Sequence, residues 1–212
     1  MASIPKQFSK KDIEAVIEEA SIKVSKPLEL YLIGGCAMTF RGIKPATKDA
    51  DALFEDKLGR HRFFEALKEV GFKELFPGLN YSETKGMDVL ERDGLGFDLF
   101  AYRVFGGLCL SPSMKKRAQK HAVYGNVSVF LASLEDVYLF KAITNRKYPR
   151  DFEDLVPIAQ AGVDWDVVYS GYAEQVKGRG CEESLLNKMN WLVKEGYSNP
   201  FGRKVLRKFV EK

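Results

Sequence analysis

The apolar run Leu28-Glu-Leu-Tyr-Leu-Ile33 ends at Gly34-Gly35, and Cys36 to Phe40 then carries a short helical pattern that breaks at Arg41-Gly42. A second strand pattern follows, Thr47-Lys-Asp-Ala-Asp-Ala-Leu-Phe54. This order of strand, glycine turn, helix and strand constrains the fold more than any other feature of the chain. It calls for a sheet with helices packed on it and for a tight turn where the first strand ends.

The flanking segments extend the pattern. Ser9-Lys-Lys-Asp12 has the form of a capping box, and Ile13, Val16, Ile17 and Ala20 recur at helical spacing, which predicts a helix over 10–24 closed by Pro27. From Arg60 the pattern Phe63, Phe64, Leu67, Val70 is again helical and stops at Gly71. Residues 81–105 read as strand-rich, with Asp93-Gly94 as a hairpin turn between Asp88-Val-Leu-Glu-Arg92 and Leu95 to Val104. Ser111 to His121 reads as a basic helix, and Tyr124 to Leu131 as a last strand around an Asn126 turn. At Ser133-Leu-Glu-Asp136 a further capping box opens a stretch with no strand pattern, punctuated by Pro149, Gly162, Gly178, Gly180, Gly196 and Pro200. The expected class is therefore α+β: a mixed sheet flanked by helices over 1–132, and a helical C-terminal region over 133–212.

Composition narrows the function classes. With 212 residues, 45% of them hydrophobic, the chain can bury one substantial core with a smaller annex. Its longest apolar runs, such as Val127 to Ala132, fall far short of the roughly 20 residues needed to cross a bilayer. The start, Met-Ala-Ser-Ile-Pro-Lys, lacks the apolar stretch of a secretory signal, so a cytoplasmic address is expected. Three widely spaced cysteines, Cys36, Cys109 and Cys181, suggest neither a disulfide framework nor a zinc site, and His61 and His121 are the only histidines. Any metal must then sit on oxygen ligands. The formal charge of +4 gathers at Lys115, Lys116, Arg117 and Lys120 and at Arg203, Lys204, Arg207 and Lys208. Either cluster reads as a solvated helix face or as a surface for an anionic partner.

The chemistry centres on Asp49 and Asp51. Two apart in a strand, their side chains leave the same face, and such close carboxylates repel unless a cation neutralises them. Mg²⁺ (or Mn²⁺) favours carboxylates together with substrate phosphates, so Asp-x-Asp suits a triphosphate platform. Taken alone, the motif reads equally as a pair of solvated loop acids. Gly34-Gly35 alters the balance, because a helix opening there presents backbone N–H groups to a phosphate that glycine lets approach closely. A third acid is expected in Asp98, which interrupts the apolar run Phe97-Asp-Leu-Phe-Ala-Tyr102, where a carboxylate is costly without a compensating partner. Asp88, Glu91 and Asp93 compete for the role, each beside a turn or a charged neighbour.

Gly34-Gly35, Arg41-Gly42, Thr47-Lys-Asp-Ala-Asp51 and a later strand aspartate together resemble the nucleotidyltransferase fold superfamily (DNA polymerase beta-like), especially its small prokaryotic branch containing AbiEii-type toxins. Leu134-Glu-Asp-Val-Tyr-Leu-Phe-Lys141, then Arg146 and Arg150-Asp151-x-x-Asp154, is similar to the segment after the catalytic sheet in that branch. A helix pair tied by an Arg150–Asp154 salt bridge is the plainer reading of the Arg-Asp-x-x-Asp portion.

The resemblance implies that Asp49, Asp51 and Asp98 hold divalent metal and carry catalysis, while Gly34, Gly35 and Lys141 contact a nucleoside triphosphate such as ATP. The implied reaction moves a nucleoside monophosphate to an acceptor hydroxyl, with an RNA or tRNA end as one candidate acceptor, and releases pyrophosphate. A second reading keeps the fold without the chemistry, as a nucleotide-binding or partner-binding module of a toxin–antitoxin-like system with a protein partner. A phosphatase of the haloacid dehalogenase type fits poorly, since it expects Thr or Val soon after the second aspartate, where Ala52-Leu53 stands. A sugar transferase fits no better, because neither family explains Gly34-Gly35 upstream.

Overall fold

The computed structural model describes residues 6–76, 86–104, 107–143, 150–175, 182–194 and 196. The chain divides into two compact units, Met1–Val104 with Cys109–Ala132 and Phe105–Leu108 with Ser133–Lys212.

The first unit is built on a mixed seven-stranded sheet. Its strands are β1 (Leu28–Leu32), β2 (Asp49–Phe54), β3 (Lys73–Glu74), β4 (Met87–Arg92), β5 (Leu95–Ala101), β6 (Gln119–Tyr124) and β7 (Val127–Leu131), in the spatial order β3-β4-β5-β2-β1-β7-β6. β2 runs parallel to β5 and antiparallel to β1, and β1 runs parallel to β7. Among the described residues, four helices accompany them: α1 (Lys10–Ser21), α2 (Gly34–Phe40), α3 (Lys57–Glu69) and α4 (Pro112–Arg117).

Alternation along the strands sorts side chains onto two faces. One face carries Leu30, Leu32, Ala52, Phe54, Phe97, Leu99 and Val129, which form a single buried cluster with Ile13, Val16 and Ile17 of α1 and Phe63 and Leu67 of α3. Removing each large side chain of this kind from water contributes roughly 1.5–3 kcal/mol. Arg92 fastens the β4 end to the helices: it pairs with Glu19 at 2.7 Å, donates to the Val70 carbonyl and lies 4.8 Å over the Phe72 ring. The opposite face carries Asp49, Asp51 and Leu53 on β2, and Gly96, Asp98 and Phe100 beside them on β5.

Several expectations meet the structure directly. The Ser9 box forms, with Asp12 accepting from the Ser9 amide and hydroxyl, each at 2.7 Å, although α1 ends at Ser21 rather than residue 24. The Asp93-Gly94 hairpin has φ 55° and 88° at its two turn residues, the positive pair that a tight antiparallel connection demands. The helix read at 111–121 is corrected: only Pro112–Arg117 is helical. Ser111 caps it, Ala118 turns extended, and Gln119–Tyr124 crosses to pair with β7 through a turn at Gly125-Asn126. The edge hydrogen bonds of β7 are satisfied that way, and they override the helical look of a basic run. α2 starts at Gly34, two residues earlier than expected, and α3 starts at Lys57, where the Asp56 side chain accepts from the Gly59 amide at 2.7 Å.

The second unit is helical over its described residues: α5 (Leu134–Ile143), α6 (Arg150–Gln160), α7 (Trp165–Gln175) and α8 (Glu182–Lys194). α5 packs against the other three. Its start is the expected box, Ser133 donating to Asp136 at 2.9 Å and accepting from the Asp136 amide at 3.2 Å. Tyr138 of α5, fully buried, meets Trp165 of α7 edge-on at 4.9 Å between ring centres. The rest of the expected helical region, from 197 to 212, lies outside the described residues.

Candidate active site

The site is assembled where β1 ends. Ile33 is still extended and its amide donates to the Asp51 carbonyl at 3.1 Å, so the two residues after it are delivered beside Asp51. Gly34 takes φ +57°, which side chains rarely adopt, and opens α2 with no side-chain cap on the helix start. A Cβ added to Gly34 would collide with the Asp51 carboxylate, and one added to Gly35 would lie 2.9 Å from the Thr47 hydroxyl. Both glycines thus lie close under a side-chain tip, and at Gly34 the positive φ favours glycine as well. At the other end of α2, Arg41 donates to the Ala132 carbonyl at 3.1 Å and to Gln119 at 3.3 Å, anchoring the helix to the end of β7.

Thr47 opens the quoted motif, but motif reading assigned it no role of its own. Its backbone pairs with Phe8 in both directions, at 2.7 and 3.0 Å, and its hydroxyl donates to the Asp49 carbonyl at 3.1 Å. The start of β2 is thereby fixed from two sides before the first acid. The pattern expected over 47–54 becomes a strand only from Asp49.

Strand register sets the acids. Asp51 is the direct parallel partner of Asp98, and Asp49 that of Gly96. Neighbouring strands lie about 4.8 Å apart and direct partners share a face, so Asp49, Asp51 and Asp98 occupy adjacent positions on one side of the sheet. Asp49 is exposed, whereas Asp51 and Asp98 are half-buried. Of the competing acids, Asp88 points to the other face and holds Arg60 at 2.9 Å, while Asp93 sits in the hairpin turn. Glu91 does share the acid face, opposite Gly96, a placement only the register reveals. Burial holds the Cys36 thiol well above its ordinary range, and the nearby Asp51 charge pushes the same way, so Cys36 stays protonated and apolar in character.

For a divalent cation the donor chemistry fits: hard carboxylate oxygens share one face, and glycines at 34 and 96 give two of them room. The carboxylates lean apart, Asp51 toward Gly34 and Asp49 toward Gly96. Among the described residues, no three His, Cys, Asp or Glu side chains form a ready cation cage.

Lys141 belongs to the helical unit. Its ammonium lies 2.6 Å from Asp154, both side chains being 13% exposed, and Lys188 donates to the Lys141 carbonyl at 2.6 Å. Asp154, for which the sequence suggested Arg150, thus takes Lys141 as a partner. The side chains of Arg150 and Asp151, and all of Arg146, lie outside the described residues. The basic run divides as well: Lys115 of α4 is held by Glu55 at 3.0 Å and Glu29 at 3.6 Å, while Lys116 and Lys120 are exposed. The Glu55 contact, despite some burial, holds the Lys115 ammonium above its usual range. Arg203, Lys204, Arg207 and Lys208 lie outside the described residues. A cavity of about 300 Å³ opens at the far end of β1 and β2, lined by Glu29, Glu55, Asp56, Arg62 and Ser128 among others. It is separate from the acids, and no sequence signal announced it.

No protein-family model matches the chain, and no curated protein matches it. Several solved structures are similar to it, among them the following three. The lincosamide antibiotic adenylyltransferase LnuA, in its lincomycin-bound form, is 13% identical, with a TM-score of 0.49 over 72% of this chain and 98% of its own. A proposed nucleotidyltransferase from H. pylori is 14% identical, with a TM-score of 0.48 over 94% of this chain and 93% of its own. Another from Thermotoga maritima is 15% identical, with a TM-score of 0.42 over 79% of this chain and 96% of its own. The likeness is partial in each case, and the site geometry is what bears on function.

Proposed function

We propose that the protein is a metal-dependent nucleotidyltransferase that moves a nucleoside monophosphate from a nucleoside triphosphate to an acceptor hydroxyl. The observation that carries this reading is the direct pairing of Asp51 with Asp98 across β2 and β5, with Asp49 on the same face and the Gly34-Gly35 turn beside them. Like charges so close on one half-buried face are stabilised by a cation and its phosphate ligands.

Asp49, Asp51 and Asp98 would hold Mg²⁺ or Mn²⁺, which when bound neutralises charge building on the phosphoryl oxygens. Gly34 and Gly35 offer backbone N–H groups to the phosphates, as a helix start does for anions. Asp98, half-buried in an apolar strand, takes the proton of the acceptor hydroxyl. The acceptor oxygen then bonds to the α-phosphorus, and the bond to the bridging oxygen breaks. Pyrophosphate leaves with that electron pair. An RNA or tRNA end is the acceptor class that exposed Lys116 and Lys120 favour.

Incubation with each labelled nucleoside triphosphate, ATP included, with Mg²⁺ or Mn²⁺ and total RNA tests activity and acceptor class together. Label is expected to become macromolecular. Asp49→Ala and Asp51→Ala should each lower transfer by about a hundred- to a thousandfold without unfolding the protein. Full transfer in both variants rules the assignment out. Nucleotide binding without pyrophosphate release by the unaltered protein favours the non-catalytic binding module instead.

A further inference from the structure

We infer that Gly96 is a positioning residue whose missing side chain seats the Asp49 carboxylate against β5, beside Asp98. The inference rests on the proposed reading of Asp49 as a cation ligand. Glycine in the middle of a strand is unfavourable, because it gives up more chain entropy than other residues and packs no side chain. Gly96 lies inside β5, is buried, and does not take the left-handed backbone conformation that would demand glycine. Backbone shape therefore does not explain it.

Space does. A Cβ at this position would stand 2.7 Å from Asp49 Oδ1 and 3.5 Å from Asp49 Cγ, so the exposed Asp49 carboxylate, the movable tip of its side chain, would have to turn away. Asp49 is the direct parallel partner of Gly96, and Gly96 precedes Asp98 by two residues, so all three share one face. The carboxylate leaning over Gly96 is thus carried toward the Asp98 strand. A methyl group there would push it off β5 and leave the donor set one oxygen short on that side. Gly34 makes the same kind of room for Asp51, but its φ of +57° confounds any substitution. At Gly96 the two effects separate.

The test titrates Mn²⁺ alone against the full chain by electron paramagnetic resonance of the free ion, comparing Gly96→Ala with Asp49→Asn. Thermal melts are recorded for Gly96→Ala in the normal chain and in an Asp49→Ala background. Gly96→Ala is expected to weaken Mn²⁺ binding about tenfold, within the range typical of groups that orient metal ligands. It should also lower the melting temperature less when Asp49 is already alanine, since the clash is then gone. Unchanged or tighter Mn²⁺ binding in Gly96→Ala, with weakened binding in Asp49→Asn, overturns the role of Gly96 and leaves the metal site standing. Normal binding in Asp49→Asn removes the ligand reading and this inference with it. Should Gly96→Ala alone fail to fold, recovery of folding in the double variant supports the contact, and failure of both overturns it.

Discussion

Ser9 and Asp12 show how much a single side-chain pair can specify. The serine hydroxyl and amide both donate to the Asp12 carboxylate, and these bonds hold its pKa below the usual aspartate value. A lowered folded pKa means the bonds stabilise the fold fully above the unfolded value of about 3.9, and are lost as pH falls through the lower folded one. Ser9→Ala should therefore cost about 1 kcal/mol at pH 7, as helix caps do. The difference from the unaltered protein should shrink on acidification below pH 4, read from denaturation midpoints across that range. The box was legible because its partners are three residues apart. Asp98 was legible for another reason, being a charge in an apolar run. Gly96 was not, since its purpose lies in a residue 47 positions earlier that only sheet pairing brings beside it.

At the level of elements, β5 does two jobs on alternate residues. Leu95, Phe97 and Leu99 face the core, while Gly96 and Asp98 face the site. Phe97 is fully buried, with ring centres of Phe72 and Phe63 at 5.5 and 6.2 Å. Phe97→Ala should lower stability by about 3–5 kcal/mol, measured by urea unfolding, because a cavity adds to the lost burial. The sequence suggested an unclear alternation around Asp98, since Leu95, Phe97, Leu99 and Phe100 are apolar on both sides of the strand. Phe100 shares the acid face and is itself buried, which is why the period-two signal was blurred. The same limitation applied to Gln119–Tyr124. Its basic residues look like a solvated helix face until β7 offers an edge to pair with.

For the whole molecule, the proposed transfer turns on which acceptor meets the carboxylate face. The +4 charge is mild, and the described structure already pairs Lys115 with two acids. If an RNA end is the acceptor, binding should weaken as salt rises, with a slope of about 0.7 in log affinity per log salt for each single-strand phosphate contacted. Lys116→Ala together with Lys120→Ala should lower both the affinity and that slope in a fluorescence anisotropy titration. No RNA binding at low salt would instead direct the search to a small hydroxylated acceptor.

Local chemistry written along the chain settled the glycine turn, the Asp-x-Asp strand, the capping boxes at Ser9 and Ser133 and the Asp93-Gly94 hairpin, because each depends on residues a few positions apart. Sheet order, the Asp51–Asp98 pairing, the side of the sheet on which Asp88 and Glu91 fall and the Lys141–Asp154 pair were decided only by tertiary structure. Those features depend on strand register and on helix contacts. A shift of one residue in register sends every side chain of a strand to the other face, and nothing local to a strand fixes its register against a partner far away in sequence.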